Sequence, residues 1–255
     1  MKVHAYTVDG IPLIRQGDDL AGIICGRTHL QDGDIVVISS TVVSKAEGNL
    51  RPVKAISAGA EAQRIALGSG REPEFVQAVL DESEEVLLES PFLLVKRRNG
   101  YICVNAGIDR SNIEDGYLLL LPPHPDASAR RLQDAIREKT GVDVRVMITD
   151  TSGRAFRIGQ TGAAIGIAGI PATKDWRGTR DLFGRVLEVK NEAITDELAG
   201  FSNLLMGEGD GGTPVVVIRG LELGPANDNG IRELYRPESE DVILKALRET
   251  AKVRG

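Results

Sequence analysis

The sequence predicts an α+β protein, with mixed or antiparallel sheets and helices. Two observations carry that expectation. Strand-like and helix-like runs are mixed without the regular alternation that a doubly wound sheet requires. Asn99-Gly100 lies between two apolar runs, a strong hairpin signal. Neither repeats nor a low-complexity linker interrupts the pattern.

Taken in order, Asp34 to Ser39 reads as a buried strand after the turn Gln31-Asp32-Gly33. Ala58 to Leu67 reads as a helix. Pro73 can start another, with Phe75, Val76, Val79 and Leu80 on one face. Phe92 to Arg98 and Tyr101 to Asn105 form the hairpin. Tyr117 to Leu121 is a strand stopped by Pro122-Pro123. Asp126 to Lys139 reads as a helix capped by Asp126 or Ser128, with Gly141 past its end. Asp143 to Thr149 is a strand that breaks at Asp150-Thr151. Asn191 to Met206 reads as a helix with Ile194, Leu198, Phe201 and Leu205 as its apolar stripe. Pro214 to Arg219 is a strand, and Ser239 to Val253 an amphipathic helix.

The 255 residues suit one large domain or two small ones, and 42% hydrophobic content supports a core. A net charge of −6 argues against a duplex nucleic-acid binder. Only Cys25 and Cys103 occur, which points to a reducing, cytoplasmic setting without a disulfide framework. The first residues lack a signal-peptide pattern, and no run approaches the ~20 apolar residues of a membrane span. His4, His29 and His124 are scattered without metal-ligand spacing, and Trp176 reads as a packing residue. Glu82, Glu84 and Glu85 read as a solvated helix end.

Four constellations carry polar chemistry. Cys103 to Asn112 (CVNAGIDRSN) puts Asp109, Arg110, Ser111 and Asn112 on one loop. They can serve a metal and a phosphate, or simply form an Asx-turn. Asp150-Thr151-Ser152-Gly153-Arg154, followed by Arg157, Gly159 and Gln160, offers a hard oxygen donor beside two guanidinium groups. Its bland alternative is a helix cap or tight turn. Met206 to Thr213 has four glycines in eight residues, able to aim backbone amides at phosphate. It lacks Walker spacing, and a flexible connection is the competing reading. Ser39 to Lys45 supplies hydroxyls and a lysine at a strand end, or a helix cap with a surface lysine. Metal plus basic groups on one loop suit phosphoryl transfer involving an anionic substrate. Arg154 and Arg157 are candidate clamps for its phosphate or carboxylate.

Together these segments resemble the coenzyme F420-0:gamma-glutamyl ligases. The resemblance runs through Asp34 to Gly48, NAGIDRSN, LPPHPDASAR (Leu121 to Arg130) and Asp150 to Gly169. It continues through DWRGTRDLFGR (Asp175 to Arg185), Thr195 to Gly207 and PVVVIRG (Pro214 to Gly220). NAGIDRSN together with D-T-x-G-R-x-x-R-x-G is highly specific. The length is that of the stand-alone archaeal form, without the flavin-binding domain of the actinobacterial one.

The resemblance implies one gamma-glutamyl ligase domain over residues 1–255, folded as two intertwined lobes and paired as a homodimer. No position in the sequence marks the lobe boundary; a break near Gly141 is the provisional choice. It implies a GTP-dependent ligase that adds L-glutamate successively to F420-0 through an acyl phosphate, releasing GDP and phosphate and building a gamma-linked tail. Two divalent ions, manganese or magnesium, are implied, with the part of potassium left open. Metal ligation falls on Asp109, Asp150, Thr151 and Glu208. Nucleotide contacts fall on Ile11, Pro12, Leu13, Ile14, Ser40, Thr41, Lys45 and Asn112, and on Met206, Gly207, Glu208, Gly209, Asp210, Gly211, Gly212 and Thr213. Nucleic acid and membrane are not among the implied partners. Glu208 departs from the family's commoner glutamine and makes the site more acidic. Ala155-Phe156 departs from a proline–aromatic pair but keeps the aromatic. A metal-dependent phosphohydrolase and a non-catalytic guanine-nucleotide module are the competing functions.

Overall fold

The structure is a computed structural model that describes residues 1–226 and 229–254, the last four by backbone alone. From the amino terminus, β1 (His4–Thr7) and α1 (Leu20–Cys25) lead to β2 (Ile35–Ser39) and α2 (Ser40–Ala46). The chain then leaves the main sheet. It forms β3 (Leu50–Pro52), α3 (Ala60–Ser69), α4 (Pro73–Glu82), β4 (Ser83–Leu88), β5 (Leu94–Arg97), β6 (Ile102–Val104) and β7 (Tyr117–Leu119). It returns with α5 (Pro125–Thr140), β8 (Arg145–Gly153) and β9 (Gln160–Ala168). The short strands β10 (Lys174–Asp175) and β11 (Asn191–Glu192) bracket an exposed arm. They precede α6 (Ile194–Met206), β12 (Val215–Arg219) and α7 (Val242–Arg254).

The α+β expectation holds. The main sheet runs β1-β12-β2-β8-β9, with only β2 and β8 parallel. β2 is central, and Ile35, Val36, Val37 and Ile38 are all fully buried. Covered on both faces, it reads as a continuous apolar run rather than an alternating one. Alternate residues feed two cores. Val36, Ile38, Val146 and Ile148 face α1 and α5. Ile35, Val37 and Met147 face α6. Each such side chain contributes roughly 1.5–3 kcal/mol by leaving water.

A third core is assembled wholly within the excursion between β2 and β8, from Ala62 to Leu120. β3 and β7 pair antiparallel and join the two ends of that excursion. The carboxyl-terminal helix α7 returns to this lobe, where Arg248 pairs with Glu85 at 2.6 Å. The carboxyl-terminal helix thus packs on elements formed by the first half of the chain. Gly141 caps α5 in the left-handed conformation.

Several elements differ from expectation. β8 does not stop at Thr149 but runs to Gly153, because β9 pairs with it residue for residue. Asp126 does not cap α5; its carboxylate accepts the amides of Ile167 and Ile231 and ties that helix to β9. Residues Asn191 and Glu192 are strand, and α6 starts at Ile194. Its buried face is Ile194, Leu198, Ala199, Ser202 and Met206, while Phe201 and Leu205 are exposed. The helix lies with small residues against β9, where a Cβ on Gly162 would come within 2.3 Å of the Ala199 carbonyl oxygen. Close backbone approach, not apolar bulk, sets which face packs. Of the three glutamates read as a solvated end, only Glu82 is helical, and it pairs with buried Arg97 at 3.1 Å. Glu84 and Glu85 lie in β4 and pair with Lys96 and Arg248.

Candidate active site

The parallel strands β2 and β8 end together, with Ser39 opposite Thr149. The next residue on each chain therefore meets the other: the Ser40 hydroxyl donates to Asp150 Oδ1 at 2.9 Å. Ser39 caps α2 by accepting the Thr41 amide at 3.3 Å, so the cap and the polar contact coexist on adjacent serines.

The loop after β6 covers this point. Asn105, Ala106 and Gly107 are all left-handed, with φ of 54°, 55° and 69°. A Cβ at Gly107 would lie 3.6 Å from Asp150 Oδ2 and only 2.3 Å from Leu121. Asp109 then bridges to Leu119 through both backbone bonds, each 3.0 Å. Its carboxylate accepts the amides of Arg110 and Ser111 and the Ser111 hydroxyl. The Asx-turn is thus real, and it orients the carboxylate. Lys45 extends from α2 to the carbonyl of Asn112, which is itself left-handed. Burial lowers the lysine pKa, against the attraction of Asp109 and Glu114. Lys45 is therefore half-buried and bonded across the site rather than splayed into solvent.

Asp150 is the most perturbed carboxylate here. Burial raises its pKa to about 6. Hydrogen bonds from Ser40 and the Thr151 amide pull it down, Asp109 pushes it up, and Arg97 pulls it down. The residue keeps some exposure, but its carboxylate is largely desolvated. That is the setting in which a cation would be most strongly attracted.

Thr151 follows on the strand and faces the other way. Its hydroxyl donates to Glu208 Oε1 at 2.9 Å, and Asn203 Nδ2 donates to the same oxygen at 2.7 Å. The four predicted metal ligands thus form two pairs, Asp109 with Asp150 and Thr151 with Glu208, on opposite faces of the β8–β9 ribbon. Among the described residues, no three His, Cys, Asp or Glu side chains are placed to hold an ion by themselves. Oxygen donors of this kind are the ones hard divalent cations take, and either pair alone would leave most of a coordination shell to other ligands.

The remaining predicted residues divide. Met206 is buried, and Gly207 to Gly212 form an exposed turn closed by Thr213 Oγ1 on the Met206 carbonyl at 3.0 Å. Glu208 and Asp210 are exposed within it. Ile11 and Ile14 pack on the main core, while Pro12 and Leu13 are exposed. Arg154 and Arg157 sit on the solvent-facing tip between β8 and β9, where Arg154 reaches only the Gly159 carbonyl at 3.3 Å. Four residue steps separate Arg154 from Asp150, roughly 13 Å of extended chain. The structure does not gather these arginines with the aspartates. Trp176 lies in the arm, bonded to Glu192 and under Lys174, as a packing residue would be.

Asn203 was not singled out from sequence, nor was Tyr101, which leads into β6 where that strand packs against β8. Asn203 lies opposite the expected apolar stripe of that helix, where a polar residue is ordinary, so the sequence carried no signal for it.

Comparison with known proteins identifies the family. The sequence profile of the F420-0:gamma-glutamyl ligase family matches residues 10–220. A coenzyme F420:L-glutamate ligase of Archaeoglobus fulgidus is 54% identical over 248 residues, covering 97% of this chain and 99% of the relative. One from Methanosarcina barkeri is 56% identical, covering 97% of each chain. One from Haloarcula marismortui is 46% identical, covering 99% of this chain and 100% of the relative. With matches of this extent spanning every constellation described above, the chain belongs to the F420-0:gamma-glutamyl ligase family.

Proposed function

We propose that the chain is a GTP-dependent ligase that joins L-glutamate to coenzyme F420-0. The observation that carries this reading is the desolvated Asp150 at the joined ends of β2 and β8, held by Ser40 and facing Asp109. The family supplies the substrates, and the site supplies a place for a phosphoryl group between acidic and hydroxyl groups.

The F420-0 carboxylate takes the terminal phosphoryl group of GTP, giving an acyl phosphate and GDP. The glutamate amine then attacks the acyl carbon, phosphate leaves, and an amide forms as the amine gives up its proton. Further rounds on the side-chain carboxylate build a gamma-linked tail. Asp109 and Asp150, and across the ribbon Thr151 and Glu208, are the residues to hold divalent manganese or magnesium. Bound there, such ions supply charge that screens two anionic reactants from one another. Ser40 orients Asp150, and Asn203 together with Thr151 orients Glu208. Lys45, Asn112 and the Gly207–Gly212 turn are proposed to hold the nucleotide, with Thr41 and residues 11–14 beside them.

A homodimer is part of this reading. Phe156, Ile158, Leu182, Phe183 and Val189 are 90% or more exposed on the ribbon tip and the arm, a concentration of apolar surface suited to a second copy. Sedimentation of a monomer at micromolar concentration would remove that element.

The deciding experiment is mass spectrometry of F420-0 incubated with protein, GTP, manganese and L-glutamate. Product heavier by glutamyl units is expected, with GDP formed in step. GTP hydrolysis indifferent to both acceptors would replace the ligase by a phosphohydrolase, and nucleotide binding without turnover by a binding module. Arg157→Ala tests the clamp. It should raise the KM for F420-0 about tenfold, the cost of one charge-assisted contact, before the KM for GTP changes. Equal loss of both would exclude a substrate-specific role.

A further inference from the structure

A cavity of about 450 Å³ lies beside the aspartate site, between the β5–β6 hairpin, β9 and the segment leading into α7. Its size falls within the range of small-molecule sites. Tyr101 and Tyr235 form its aromatic wall, with ring centroids 6.0 Å apart and planes 23° from parallel. The Tyr235 hydroxyl is buried and has no hydrogen-bond partner among the described residues. A buried donor without a partner is unusual and is relieved by a ligand acceptor.

The cavity shares a face with Asp150. Ala163 lines it and is the direct cross-strand partner of Asp150, so both side chains project on the same side of the ribbon. Tyr101 lines the cavity and leads directly into β6, which packs against β8.

Most charges around the cavity are already committed. Lys96 pairs with Glu84 and Glu238, and Asp241 caps α7 through the amides of Ile243 and Leu244. Asp196 accepts the Ala164 amide. Arg232 and Arg236 stand at the rim, and Arg232 commits its Nε to the Asn99 carbonyl at 3.2 Å. Two guanidinium groups beside an aromatic wall suit a planar ring system that carries anionic oxygens.

We propose that this cavity binds the planar heteroaromatic part of the carboxylate-bearing substrate, with its acid directed past Tyr101 to Asp150. The ring lies on the tyrosine wall, and the Tyr235 hydroxyl donates to a ring oxygen or nitrogen. The identity of that ligand as F420-0 rests on the ligase reading.

The test is equilibrium binding of F420-0, followed by its own fluorescence, to the full-length wild type, Tyr235→Phe and Ala163→Leu. Product formation is measured in parallel. Tyr235→Phe keeps the ring and removes the donor, so it should weaken F420-0 binding about three- to tenfold, the value of one neutral hydrogen bond. Ala163→Leu fills the cavity and should weaken binding at least as much. The KM for GTP should stay within about twofold in Tyr235→Phe. Wild-type affinity in both variants overturns the proposal, as does absence of F420-0 binding to the wild type. Variant-sensitive binding without glutamylated product would keep the cavity and remove the ligase reading.

Discussion

Asp150→Asn is expected to lower kcat for glutamate ligation by about 10³-fold or more, because several kcal/mol of charge stabilisation depend on that carboxylate. The same substitution should not harm folding. Asparagine has the same shape, and its carbonyl oxygen can still accept the Ser40 hydroxyl, 2.9 Å from Asp150 Oδ1 in the wild type. The pH dependence distinguishes this outcome from simple damage. Burial raises the folded-state pKa of Asp150 to about 6, above its unfolded value. The fold therefore prefers the protonated acid. The metal-free wild type loses stability as pH rises from near 4 through about 6, as the buried group is forced to ionise. The asparagine variant lacks that loss. Without metal it should melt above the wild type at pH 7, with the difference closing near pH 4. Added manganese should raise the melting temperature of the wild type but not of the variant. Equal melting curves at both pH values with retained activity would exclude the role given to Asp150.

The largest stability effect is expected far from this site. Asp34 is fully buried and receives Arg219 through two bonds, Nε at 2.8 Å and Nη2 at 2.7 Å. It also accepts the Gln31 amide at 2.8 Å, so one carboxylate fixes the turn into β2 and the end of β12. Asp34→Ala leaves a guanidinium and an amide without their partner. The cost should be about 3 kcal/mol, the low end for a broken buried pair because Arg219 retains some contact with water. For a chain of this size that is roughly 10 °C in Tm. Urea unfolding of the variant checks it. A loss below about 1 kcal/mol would class the pair with surface ion pairs.

Fold elements were legible where one signal sufficed. β2 and β12 are apolar runs bounded by turn residues, and α5 ends at a glycine that takes a left-handed conformation. The Asn-Gly hairpin joins β5 to β6 as expected. The end of β8 is not legible locally, because Asp-Thr-Ser-Gly has the composition of a turn. Its strand character comes from the distant β9, whose glycines and alanines carry little strand propensity of their own. The packed face of α6 is hidden for a related reason: Gly162 makes room for Ala199, and no periodicity encodes that fit. Asp109, Asp150, Ser40 and Lys45 were each visible as polar residues in loops or strand ends. Their convergence depends on parallel pairing between strands more than a hundred residues apart, which no local pattern specifies. The alternation of side chains along β8 also separated Thr151 from Asp150, although they are neighbours in sequence.

The left-handed run Asn105-Ala106-Gly107 has a consequence for chemistry outside the natural alphabet. Ala106 is fully buried at φ 55° and ψ 20°, where an L-residue is disfavoured by about 1–2 kcal/mol. The mirror-image amino acid is relaxed there. A chain assembled by peptide ligation with D-alanine at position 106 would release that backbone cost, but its methyl would take the place of the α-hydrogen, so the packed core around the natural methyl group would have to rearrange.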